Sequence, residues 1–320
     1  MGHVCKEDGD RVPWVVYEGH KGPGNGRHIV FVSGDEEYRS EEALPMLAKI
    51  LAVHHGFKCT VLFAIDPDSG RIDPGCLSNI PGLHHLERAD LMVLFIRFRE
   101  LPDADMKRII DHAEAGKPVV GLRTATHGFS YELNPKSLYA KYSYNNKEFE
   151  GGYGRQVLGE TWVNHHGHHG FESCRGIIDD ENLFDPILKG VSDIWCPTDV
   201  YGITTLTDEP KVLVRGQVLV GMNPEDEPKL ETSTMPIAWT KTYTGEHGIP
   251  ARVFCTTMGA AVDLKNEGIR RLIVNACYWC GKLEDLIPEK NVVEIVGDYN
   301  PTYFGFGKYR KGLMPSDFAL

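Results

Sequence analysis

Four short, almost wholly apolar runs, separated by stretches of helical period, leave this chain few folds to choose from. His28-Ile-Val-Phe-Val-Ser33 is closed by Gly34, and Lys58 to Ala64, Asp90-Leu-Met-Val-Leu-Phe-Ile96 and Pro118-Val-Val-Gly-Leu122 follow it. Runs this short and this apolar read as strands buried on both faces. Between the first two, Ser40 reads as an N-cap, Glu41 and Glu42 as a first turn and Gly56 as a stop. A second helix, from about Pro102 to Ala115, places Met106, Ile109, Ile110 and Ala113 on one face and ends at Gly116. Strands alternating with helices at this spacing predict an α/β, doubly wound, mostly parallel sheet. In such a sheet the functional loops gather at the carboxyl ends of the strands.

Residues 128–160 are aromatic and rich in Asn and Gly, the composition of an irregular excursion. Further strands are expected around 211–220, 235–243 and 251–258, and a helix from about Lys265 to Cys280. The pattern predicts one domain over 28–282, an N-terminal arm over 1–27 and a C-terminal tail, 283–320, packed on it. A net charge of −11 argues against a nucleic-acid or anionic-membrane partner, since both need a basic surface. No apolar run is long enough for a membrane span. The start lacks the basic and apolar segments of a signal peptide, although the mature form of an exported protein would look the same, so the compartment stays open. Eight scattered cysteines, Cys59, Cys255 and Cys277 among them inside apolar patterns, read as buried thiols rather than a disulfide framework. Cys277-Tyr-Trp-Cys280 has redox or metal spacing but no second pair.

Four clusters at the expected strand ends could carry chemistry. Gly34-Asp-Glu-Glu-Tyr-Arg-Ser40 follows the first run; Asp35 and Glu36 read as capping and solvated charge, while Glu37, Tyr38 and Arg39 are candidates to bind a ligand. Arg97 and Arg99 follow the third; strand alternation would point them apart, so one of them, Arg97, is expected to face the site. The fourth run ends in Arg123-Thr-Ala-Thr-His127, at the place where α/β enzymes often mount a nucleophile. That turn holds neither Cys nor Ser. Arg123 is therefore expected to bind or polarise a substrate, Thr124 to touch it, and His127 to move protons.

The sharpest local signal is Glu160-Thr-Trp-Val-Asn-His-His-Gly-His-His169, with four histidines in five residues. An extended segment would put His166 and His168 on one face, roughly 6–7 Å apart. His165 and His169 would then face the other way. His166 and His168 become candidate catalytic groups and candidate ligands for a divalent metal (zinc or another transition metal), with a third ligand such as Glu37 or His127. The competing reading is a sugar-sized pocket lined by hydrogen-bonding rings beside Trp162.

At this point the residues resemble a family. Gly34-Asp-Glu-Glu-Tyr-Arg-Ser-Glu-Glu42, Ala89-Asp-Leu-Met-Val-Leu-Phe, Ala115-Gly-Lys-Pro-Val-Val-Gly-Leu-Arg-Thr-Ala-Thr-His127, Asp199-Val-Tyr201, Pro236-Ile-Ala-Trp239, Arg252-Val-Phe-Cys-Thr-Thr-Met-Gly259 and Arg270-Arg-Leu-Ile-Val-Asn-Ala-Cys-Tyr-Trp279 look like the ThuA-like (trehalose utilisation) family over about residues 28–282. The resemblance implies a flavodoxin-like sheet of the class I glutamine amidotransferase type. It also exposes departures: Arg123 stands where the amidotransferase pattern has Cys, and Gly259, Ala260 and Ala261 stand where its His and Glu would fall. Amidotransferase chemistry is therefore not expected. The resemblance implies instead the handling of a sugar or keto-sugar by hydrolysis, lyase chemistry or isomerisation, with Trp162, Tyr201 and Trp239 as aromatic platforms. A carbohydrate-binding protein without catalysis is the other class of function left open, and so is a homo-oligomer.

Overall fold

A computed structural model describes residues 12–320. Ten strands form one sheet: β1 (Trp14–Tyr17), β2 (His28–Gly34), β3 (Lys58–Leu62), β4 (Leu91–Ile96), β5 (Val119–Leu122), β6 (Cys174–Ile178), β7 (Trp195–Cys196), β8 (Lys211–Val218), β9 (Met235–Thr244) and β10 (Pro250–Thr256). Their spatial order is β1-β3-β2-β4-β5-β10-β9-β8-β6-β7. Among the described residues the α-helices are α1 (Ser40–His55), α2 (Asp103–Glu114) and α3 (Glu267–Cys280).

The expectation of a mostly parallel sheet needs correction, because the sheet is mixed. Its centre, β3-β2-β4-β5-β10, is parallel. Every pairing outside that centre is antiparallel. The physical reason is loop length. Only residues 245–249 join β9 to β10, and a parallel crossover needs a dozen residues or more, so the pair closes as a hairpin. At the opposite edge, Trp14–Tyr17, within the segment expected as an arm, pairs antiparallel with β3. Residues 1–11 of that expected arm, Cys5 included, lie outside the described residues.

Helices cover both faces of the parallel centre. The apolar faces of α1 and α3 pack on Ile29, Phe31, Val93, Phe95 and Phe254. The other face takes α2 through Met106, Ile109 and Ala113, together with Phe129, Tyr153 and Leu158 from the irregular excursion. Alternate residues of each central strand therefore enter different cores, as the period of two requires. Helix α1 starts at Ser40, one residue earlier than expected, and its N-cap is Arg39 in left-handed conformation (φ 63°) rather than Ser40. Gly56, also left-handed (φ 79°), ends it by donating its N–H to Ala52.

The tail runs back across the face that α1 and α3 cover: Gly305 N–H donates to Glu37 O at 2.8 Å, and Tyr17 hydroxyl donates to Phe318 O at 2.6 Å. Among the described residues the seven cysteines are free thiols, and six of them are buried. Among the described residues, too, no helix is long and apolar enough to cross a membrane.

Candidate functional site

Parallel direction brings the loops after β2, β4, β5 and β10 to one edge, and four of the expected clusters meet there. At the apex of the turn after β5, Arg123 takes a left-handed conformation (φ 45°) and leads a short helical turn to His127. A bulky residue held there costs on the order of 1–3 kcal/mol and persists only when its surroundings over-determine it. Here they do. Arg123 is fully buried; Nη1 donates to Asp199 O (2.8 Å) and Thr257 O (2.7 Å), and Nη2 to Tyr38 Oη (3.1 Å) and Asp199 Oδ1 (2.8 Å). Its guanidinium lies between the rings of Tyr38 and Tyr201, 4.4 and 4.0 Å from their centroids.

With its terminal nitrogens so engaged, Arg123 holds its neighbours in position. What it positions is Asp199, which also receives two imidazoles: His165 Nδ1 lies 2.6 Å from Oδ2 and His169 Nδ1 lies 3.0 Å from Oδ1. Burial works against the charge on Asp199, yet Arg123 and the two imidazoles hold its carboxyl below the usual carboxylate range.

The histidine segment therefore divides otherwise than an extended strand would divide it. The chain turns between His168 and Phe171, with Gly170 left-handed (φ 77°), and His165 bridges to Tyr201. That bend carries His165 and His169 to the same side, with ring centroids 5.1 Å apart. His166 instead meets the Ser233 carbonyl at 2.7 Å, and His168 packs on Phe171. The pairing of His166 with His168 assumed a pleat that the turn at left-handed Gly170 breaks.

Beside this cluster, His127 is buried against Phe98, Tyr144, Trp162 and Tyr201. Its Nδ1 is 3.1 Å from Thr126 Oγ1. Burial, and then the charges of Arg97 and Arg123, push its pKa well below that of free histidine, so the ring is neutral. Glu37 lies 3.4 Å from His169 Nε2 and 3.5 Å from Arg97 Nε. Burial pushes its carboxyl up, against the pull of Arg97.

Several expected site residues have structural positions. Arg39 is fully buried and donates to the carbonyls of Glu36, Glu37 and Gly305, which anchors the tail. Thr124 is buried and donates to Asp35. Asp35 is itself fully buried, not solvated, and caps the N–H groups of Glu37 and Tyr38. Trp239 is buried and donates Nε1–H to Leu158 O at 2.7 Å, so it presents no platform. Arg97 and Arg99 do not point apart, because left-handed Phe98 (φ 51°) breaks the strand alternation and both reach Glu36. Half-buried Trp162 stays at the site, 5.6 Å from His165 between ring centroids. Next to it opens a cleft of about 480 Å³ bordered by Tyr144, Asn146, Glu150, Arg155 and Trp162.

Where the amidotransferase pattern has its His and Glu, Gly259 and Ala260 direct their N–H groups to buried Asp263, each at 3.0 Å. The roles of Asp199, Asp263, His165 and His169 were missed in the sequence. Asp199 carried one usable signal, a carboxylate set in the apolar run Trp195-Cys-Pro-Thr-Asp-Val-Tyr201. For His165 and His169 the signal was the pair of glycines around His168.

An α/β protein with a polar site at the carboxyl edge of its parallel strands, and an arginine where such folds mount a nucleophile, is what the geometry defines. The chain belongs to the ThuA family, described as trehalose utilisation, whose pattern matches residues 28–280. Among solved structures, a protein from Parabacteroides merdae ATCC 43184 described only as ThuA-like is similar at 13% identity and a TM-score of 0.51, over 92% of this chain and 99% of that one. Another so described, from Bacteroides uniformis ATCC 8492, is 14% identical with a TM-score of 0.50, over 82% of this chain and 95% of that one. At these identities the likeness is one of fold. No curated protein matches the chain significantly.

Proposed function

We propose that this chain is an enzyme acting on a sugar or keto-sugar by proton transfer next to a carbonyl, as a lyase, isomerase or hydrolase. The observation that carries the reading is the convergence of a neutral buried imidazole, His127, with His165, His169 and Glu37 under an aromatic wall. A neutral His127 ring can hydrogen-bond a substrate carbonyl without carrying charge, and Glu37, whose carboxyl burial pushes up, is the group placed to take the proton. Trp162 borders both this cluster and the adjacent cleft, so a sugar ring stacked on it would present its carbonyl side to the histidines. Asn146, Glu150 and Arg155 in the cleft supply the mixed donors and acceptors that hydroxyl groups need. The name of the family supports a carbohydrate substrate.

The test is hydrogen–deuterium exchange. Each of a panel of keto-sugars is incubated with the protein in D₂O and followed by proton NMR at the carbons beside the carbonyl. Enzyme-dependent exchange, lost in His127→Gln, supports the reading. Binding of sugars without exchange or turnover would instead make the chain a carbohydrate-binding protein.

A further inference from the structure

We infer that His165, His169 and Asp199 form a binding site for one divalent first-row transition metal, a centre of two histidines and one carboxylate. One ligand atom from each residue lies within 4.8 Å of the other two. The Nδ1 atoms already stand 2.6 and 3.0 Å from the Asp199 carboxylate oxygens. Ligand atoms at about 2.0–2.2 Å from a metal are separated by roughly 3.0–3.4 Å; the two N–O distances, each to its own carboxylate oxygen, are close to that range, and small side-chain rotations bring the three atoms onto one coordination face. In the bound state each ring keeps its proton on Nε2 and turns its Nδ1 lone pair to the ion.

The surroundings carry the assignment further than the three ligands alone. A ligating imidazole normally donates its other N–H to a carboxylate or carbonyl, which fixes the ring. His169 has that partner: its Nε2 lies 3.4 Å from Glu37 Oε1. A ligating carboxylate is in turn held by hydrogen bonds, and Asp199 is held by Arg123 through both its side chain and its backbone carbonyl. The positive charges of Arg123, Arg97 and Arg99 oppose a cation, and the four carboxylates of Asp199, Asp35, Glu36 and Glu37 outnumber these three. The ligand side is reachable, with His165 and His169 side chains 40% and 31% exposed. Two nitrogens and one oxygen suit zinc, iron(II), cobalt(II) or manganese(II) rather than calcium or magnesium. Three protein ligands leave positions open for oxygens. In so far as the sugar reading above holds, the adjacent hydroxyl and keto oxygens of one substrate would fill two of them.

The experiment uses the full chain, purified without a histidine tag, stripped with EDTA and titrated with Co(II), with visible d–d absorption and elemental analysis as readouts. One Co(II) per chain is expected. His165→Ala and His169→Ala should each weaken binding on the order of 100-fold, and Glu37→Gln about 10-fold. The His166→Ala/His168→Ala double variant should bind as the parent does. Both rings of the ligand pair are partly exposed, so their variants are expected to fold, and circular dichroism checks this. Folded protein that takes up no stoichiometric Co(II), or ligand variants that bind it unchanged, would overturn the site. Carbon–hydrogen exchange that persists in the stripped protein would then leave the proposed function standing. Stoichiometric Co(II) without exchange on any sugar would leave the metal site standing and remove the sugar reading.

Discussion

Replacing Arg123 by Met tests whether this arginine is a scaffold for Asp199 or a substrate contact. The substitution removes four hydrogen bonds and two ring contacts from a group with no solvent exposure, and leaves Asp199 buried without its cation. Removing one partner of a buried ion pair costs about 3–5 kcal/mol, because the stranded charge has no water to turn to. At about 2.1 cal/mol/K of unfolding entropy per residue, a chain of 320 residues carries roughly 0.67 kcal/mol/K, so the expected fall in Tm is about 5–8 °C. The same replacement made in an Asp199→Asn background strands no anion. The two losses should therefore fall short of additive by about 2 kcal/mol. Thermal and urea unfolding of the parent, both single variants and the double variant measure all four corners of the cycle. A Tm within a degree of the parent, with additive single effects, would refute the reasoning and return Arg123 to the expected role of binding or polarising a substrate.

Other expected outcomes are of the same kind. His55 accepts from Tyr278 Oη at Nδ1 and donates to Val292 O at Nε2, a neutral ring that burial holds down to about 4. The unfolded chain then binds more protons between about pH 6.5 and 4. The stability that His55 gives is thus complete above 6.5 and lost as pH falls through that window, by about 2–3 kcal/mol; urea midpoints at pH 7 and 4.5 should show a smaller acid loss in His55→Gln, and an equal loss would contradict it. A Cβ on Gly154 would stand 1.8 Å from the Thr126 carbonyl oxygen. Gly154→Ala should accordingly cost about 2–3 kcal/mol in chemical denaturation, through displacement of the turn that carries His127. Trp239→Phe strands the Leu158 carbonyl and should cost about 1–3 kcal/mol without altering sugar affinity measured by calorimetry. A loss of affinity in folded Trp239→Phe protein would show that this ring does reach the ligand.

Local sequence determined the elements of this protein and the edge at which its polar groups collect. Apolar runs such as Leu91–Ile96, flanked by charged residues and followed by a stretch of helical period, can form little else than buried strands. Their alternation with helices then brings the turn after β5 beside the loops after β2 and β4. Tertiary structure alone decided what those groups do there. The direction of β6 to β9 depended on pairing partners that no local period encodes, although the short loop of residues 245–249 already required a hairpin. Burial and four acceptors turned Arg123 from a substrate contact into the support of Asp199, and neither is visible from one strand and its turn. The histidines turn on the same point. Their spacing suggested His166 and His168, but left-handed Gly170 allows a bend, and the buried carboxylate of Asp199, thirty residues and more downstream, gathers His165 and His169 instead. A period predicts faces only while the backbone stays regular, and here it stops being regular at the site.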